Sequence, residues 1–123
     1  MTSDDISERL LKFAVRVGKA VDALPETPLG RHIAGQLVRC GTSPLPNYEE
    51  ACAAESRADF VHKLRICLKE LRETKMWLRY IVGSDLLSAH LLNPLINEAG
   101  QLSAIMGKSI VTAKTNAKGT KRS

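Results

Sequence analysis

Between Asp59 and Arg79 the chain reads DFVHKLRICLKELRETKMWLR, and these side chains sort onto three faces of a single helix. At ~100° per residue, Phe60, Leu64, Cys67, Leu71, Thr74, Leu78 and Ile81 fall within an arc of ~100°, the stripe that a bundle helix buries. Arg65, Lys69, Arg72, Lys75 and Arg79 gather in a neighbouring arc of ~120°. His62, Ile66, Glu73, Trp77 and Tyr80 occupy the remaining flank. The first face demands other helices to cover it. Trp and Tyr are favoured anchors at protein interfaces, so the third face is expected to form an oligomer interface, the alternative being that another helix of the same bundle covers it.

The rest of the chain repeats the helical period. Ile6, Leu10, Phe13, Val17, Val21 and Leu24 recur at spacings of three and four, predicting a first helix from Asp4 to about Leu24, with Ser3 as its N-cap and Pro25 as its stop. Leu11 and Val15 add a second apolar edge. Thr27-Pro28 reads as an N-cap with proline at the first helical position, followed by a buried stripe of Leu29, Ile33, Leu37 and Cys40. Pro44 and Pro46 remove two backbone donors, and the helix-favouring segment after them predicts one long second helix kinked at the prolines. Ser56 and Asp59 predict the cap of the third helix, which runs to about Val82 with Gly83 closing it. Ser84 and Asp85 are expected to open the fourth, with Leu87, Leu91, Leu95, Ala99, Leu102, Met106 and Ile110 as its core stripe and a bend at Pro94. The fold expected is all-α, an antiparallel up-and-down four-helix bundle over residues 1–113, with residues 114–123 a basic, disordered tail.

The net charge of +5 is unevenly placed. Residues 60–82 carry six cations against two carboxylates and residues 108–123 carry five against none, while the segments 1–59 and 83–107 are each −2. Like charges at i,i+3 and i,i+4 repel, so the stripe from Arg65 to Arg79 calls for an anionic partner. Nucleic-acid phosphate is one candidate; Glu49, Glu50 and Glu55 of the same or a neighbouring subunit are the other.

No reaction site is legible. Glu49 and Glu50 are adjacent and point ~100° apart on a helix, so they do not face each other as an acid and base would. His32, His62 and His90 lie on different predicted helices without metal-ligand spacing, and Cys40, Cys52 and Cys67 include no C-x-x-C pair. The expectation is a non-enzymatic protein without cofactor or metal. Three cysteines, an acidic N-terminus without a leader-like apolar run and no membrane-length apolar segment suggest the cytoplasm.

A series of short motifs resembles a known family. Arg39-Cys-Gly-Thr-Ser43, Asn47, Glu50-Ala51, Glu55-Ser-Arg-Ala-Asp59-Phe60-Val-His62-Lys63 and Lys69-Glu70-x-x-Glu73-Thr74-x-x-Trp77-Leu78 are similar, over about residues 8–113, to the bacterial four helix bundle proteins, also called the 23S rRNA-intervening sequence protein family. The resemblance implies an antiparallel four-helix bundle assembled as a homopentamer, with no known enzymatic activity. It also implies structural roles for the motif residues: Asn47 or Ser43 satisfying backbone groups freed at the prolines, Asp59 helping to cap the third helix, and His62, Glu73 and Trp77 lining a subunit contact. Related bundles accompany reverse transcriptases and engage nucleic acid. Binding of RNA or DNA is therefore the leading expectation, and a protein-interaction adaptor or accessory subunit of a neighbour-encoded enzyme is the alternative. Pro44-Leu45-Pro46 and Tyr48-Glu49 depart from the family pattern.

Overall fold

The computed structural model describes residues 1–122, with side chains through Asn116. Helices run over Ser3–Ala23 (α1), Pro28–Thr42 (α2), Pro44–Cys52 (α3), Arg57–Gly83 (α4) and Ala89–Arg122 (α5), and no strand occurs among the described residues. α2 and α3 act as one bent rod, because Ser43 between them keeps helical dihedrals (φ −64, ψ −35). Helical bonding resumes across the prolines: the Ser43 N–H donates to the Arg39 carbonyl at 3.2 Å and the Asn47 N–H to the Ser43 carbonyl at 3.3 Å. The architecture is thus the expected four-helix bundle. α4 packs against α2, α3 and α5, and α1 closes the ring against α2, α3 and α5.

The core follows the apolar period closely. Leu10, Phe13 and Val17 of α1, Ile33 and Leu37 of α2, Leu64, Leu71 and Leu78 of α4 and Leu102 and Met106 of α5 are all fully buried. Gly41 is the close-approach point between α1 and α2, since a Cβ there would meet Val17 Cγ1 at 2.5 Å. Local capping chemistry sets the helix starts. Thr2, rather than Ser3, caps α1, its hydroxyl accepting from the Asp5 N–H while the Asp5 carboxylate accepts from the Thr2 N–H, the reciprocal arrangement that satisfies two orphan donors. Thr27 and Ser56 cap α2 and α4 as expected, accepting from the Gly30 and Asp59 N–H groups.

Several expectations need correction. Phe60 is only half-buried, and Val61 beside it enters the core. Leu29, at 42% exposure in the first turn of α2, faces solvent. The fourth helix of the bundle starts at Ala89, capped by Ser88, whose hydroxyl accepts from the Leu91 N–H. Ser84 and Asp85 instead terminate α4. The Leu86 N–H donates to the Ile81 carbonyl and the Asp85 N–H to the Val82 carbonyl, the paired bonds of a left-handed helix end. The left-handed residue is Asp85 (φ 57), not Gly83, which remains helical. With the start of α5 displaced, Leu92 takes the buried position expected of Leu91, which is 55% exposed, and the stripe continues through Leu95, Ala99, Leu102, Met106 and Ile110. Pro94 lies inside α5 without ending it. Helix α5 also continues past Lys114 to Arg122, where a disordered tail is expected from the sequence; side chains beyond Asn116 and the whole of Ser123 lie outside the described residues.

Asp85 occupies a conformation that costs an L-residue roughly 1 kcal/mol and glycine almost nothing. Asp85→Gly is therefore expected to raise the stability of the bundle by about 0.5–1 kcal/mol, read as a higher urea midpoint at unchanged slope.

Candidate nucleic-acid interface

The outward arc of α4 carries the cations singled out above. Arg65, Lys69, Arg72 and Arg79 are exposed and Lys75 is half-buried. Arg65 and Arg79 are fourteen residues apart, so the row is ~21 Å long. Among the described residues none of the five belongs to an ion pair, whereas Arg9, Arg39 and Lys63 each hold a carboxylate on another helix. Of the acidic candidates for internal neutralisation, Glu49 accepts from the Ser7 hydroxyl at 2.6 Å and Glu50 pairs with Lys63 at 3.4 Å, while Glu55 is exposed in the turn before α4. On the α5 side, Arg72, Lys75 and Arg79 line a shallow groove of about 260 Å³ with Gly100 and Ser103. A second groove, of about 530 Å³, continues from Lys75 and Gly100 to Asn93, Asn97 and Gln101. The Lys75 ammonium lies over Gly100, where a Cβ would stand in ordinary contact with it at 3.4 Å.

On the opposite flank the third face of α4 meets α2. The Arg39 guanidinium donates to Glu70 at 3.1 Å, to Gln36 at 3.2 Å and to the Glu73 carboxylate. Burial works against the Arg39 charge, but Glu73 and Glu70 outweigh it and hold its pKa above the ordinary value. The Trp77 indole N–H donates to the same Glu73 carboxylate at 3.3 Å, and the Trp77 ring stands edge-on to His32 (6.0 Å) and Tyr80 (5.8 Å). Glu73 and Trp77, expected at a subunit contact, are thus engaged within the chain, because α2 supplies Arg39 and His32 to them. Ile66 is half-buried, and His62 and Tyr80 remain exposed.

The motif residues pair with one another, both across helices and within α4. Arg39 holds Glu70 and Glu73, Glu50 holds Lys63, and Thr74, fully buried, donates its hydroxyl to the Glu70 carbonyl at 2.7 Å. The Asn47 side-chain amide donates to both the carbonyl and the hydroxyl of Ser43 at 3.0 Å. This clamps the α2–α3 junction, although the acceptor is Ser43 itself and not the Cys40 and Thr42 carbonyls that lose their helical donors to Pro44 and Pro46. Asp59 receives the Ser56 cap through its N–H and places its carboxylate in the first turn of α4, where the helix dipole favours it. Phe60 contributes to the wall of a cleft of about 810 Å³ at one end of the bundle, with Ile6, Arg57, Ile105 and Lys108.

Burial raises the Cys40 pKa and pushes the Cys67 thiol up to about 12, so neither offers a thiolate at neutral pH. No group of three His, Cys, Asp or Glu among the described residues could hold a metal ion, and no described helix is long and apolar enough to cross a membrane. Sequence reasoning missed His32 as the neighbour of Trp77 and Met76 as a member of the exposed arc. The wheel of α4 already places Met76 among the cations, whereas the His32 contact depends on how α2 docks.

Removing Arg39 would leave the nearly buried Glu70 carboxylate without its cation. Arg39→Ala is expected to lower the thermal midpoint, and adding Glu70→Gln should recover part of the loss, because a neutral amide needs no counter-charge. A double-mutant cycle with strictly additive effects would contradict this coupling.

Comparison with known proteins agrees with the fold and the motif. A crystal structure of a protein of unknown function from the S23 ribosomal protein family of Bacteroides thetaiotaomicron VPI-5482 is similar at a TM-score of 0.80 and 30% identity, covering 85% of this chain and 97% of that one. No functionally curated protein matches. The sequence model of the 23S rRNA-intervening sequence protein family matches residues 3–108. With its bundle and the residues that tie α2, α3 and α4 together, the chain belongs to the 23S rRNA-intervening sequence protein family.

Proposed function

We propose that this protein is a non-enzymatic, self-associating helical bundle that binds nucleic acid through the phosphate backbone. The observation that carries the reading is the row of Arg65, Lys69, Arg72, Lys75 and Arg79, five cations on one arc of a single helix with none of them in an ion pair among the described residues. Each like-charge neighbour costs a few tenths of a kcal/mol in a helix, a cost that bound phosphates would reverse. The same row releases counterions from a polyanion, which gives affinity without sequence preference.

Self-association has its own supporting observation. Leu11 and Val15 on α1 and Leu91 on α5 are 45%, 51% and 55% exposed, more apolar surface than a solvated helix face needs. A contact through these residues would leave the α4 arc open to a ligand. A ring of five is the size that the family resemblance implies.

Reversing Arg65, Lys69 and Arg72 to Glu should leave the circular-dichroism spectrum unchanged, lower RNA affinity by at least about tenfold and flatten the salt dependence of binding by about two units of slope. Undetectable RNA binding by the unaltered protein at low salt would remove the reading. Native mass spectrometry at micromolar concentration should find an oligomer, and Leu11→Glu with Val15→Glu should dissociate it; a monomeric unaltered protein would contradict self-association.

A further inference from the structure

The cation row of α4 is interleaved with side chains that phosphate does not need. Met76 lies within this arc and Tyr80 at its edge, 47% and 44% exposed, with Met76 one turn beyond Arg72 and Tyr80 one turn beyond Met76. Tyr80 is held in place. Its ring stands at 71° to that of Trp77 with centroids 5.8 Å apart, and Trp77 is fixed by its bond to Glu73 and by the edge of His32 at 78°. Three rings from two helices therefore form a row along the edge of the cation arc, with Met76 between Tyr80 and Arg72 on the helix surface. Trp77 packs against the core, but Tyr80 stands outside it.

Phosphates are equally reachable on a duplex and on a single strand, so the cations alone do not choose between them. An exposed aromatic face does. In a double helix the bases are stacked on one another and closed to a side-chain ring, whereas an unpaired base can be splayed out and stacked. Proteins that hold single strands combine a cationic track with aromatic platforms, and base–aromatic stacking tolerates any sequence because every base has a π-face. A ring already propped by Trp77 loses little freedom when a base covers it, which favours stacking over a freely rotating tyrosine.

We infer that the ligand is an unpaired nucleic-acid strand, its phosphates along the row from Arg65 to Arg79 and one of its bases stacked on Tyr80. This rests on the phosphate-binding reading above and adds the strandedness of the ligand. The test uses the full chain and fluorescence anisotropy with two labelled probes, an oligouridylate of about 20 nucleotides and an RNA duplex of about 20 base pairs. The unaltered protein should bind the single strand more tightly. Tyr80→Ala should weaken single-strand binding about tenfold, leave duplex binding within about twofold and leave the oligomer mass unchanged, and Tyr80→Phe should retain full affinity. If Tyr80→Ala binds the single strand as well as the unaltered protein while charge reversal at Arg72 still weakens it, stacking is refuted and the phosphate track stands. If Tyr80→Ala changes the oligomer mass, Tyr80 belongs to a subunit contact and the inference falls. If neither probe binds the unaltered protein at low salt, both readings fall together.

Discussion

Everything in this bundle turns on the enclosure of α4. It packs against α2, α3 and α5, so the residues from Leu64 through Ile81 that face those neighbours are removed from water almost completely. A helix surrounded on three sides has only one arc left for solvent. Long cationic side chains, whose charges are too costly to bury alone, must collect there. The cation row is thus the complement of the core stripe, and the density of positive charge on one line follows from how little of the helix remains exposed.

Polar ties then define how the helices seat against α4 and close the ring. Arg39 fastens α2 through Glu70 and Glu73, Lys63 fastens α3 through Glu50, and Arg9 joins α1 to α5 through Glu98 at 2.6 Å. Exposed ion pairs contribute little, but a carboxylate as buried as Glu70 makes its partner obligatory. Such ties favour one rotational setting of α2 over alternatives that an apolar interface of Leu, Ile and Val would tolerate nearly as well. The setting has a second consequence, because the α2 surface that presents Arg39 also brings His32 to the edge of Trp77.

Much of the architecture was legible because helical periodicity is a local property. The stripes of α1 and α4, the Thr27-Pro28 and Ser56 caps and the continuation of one rod through Pro44 and Pro46 follow from residues within a few positions of one another. The misplaced start of α5 has a local cause. Ser84 and Asp85 have the composition of a helix start, yet the bonds from Asp85 and Leu86 back to Val82 and Ile81 turn the segment into the end of α4, which displaces α5 and exchanges Leu91 for Leu92 in the core. The polarity of Ser and Asp suits either role, and competition between two local structures decided it.

By itself the sequence determined which helices form, which face of each is apolar and where the positive charge on α4 must lie, since all three depend on spacing at the 3.6-residue period. Only the tertiary structure decided which cations of the molecule find carboxylates on other helices. The carboxylates that engage Arg39 and Arg9 lie 31 and 89 residues away along the chain, and they meet only because the helices dock in one register. The same docking drew Glu73 and Trp77 inward toward α2 and left Tyr80, Arg65, Lys69, Arg72 and Arg79 facing solvent. Spacing along a helix assigns a side chain to a face, but what that face meets is set by the helices that pack against it.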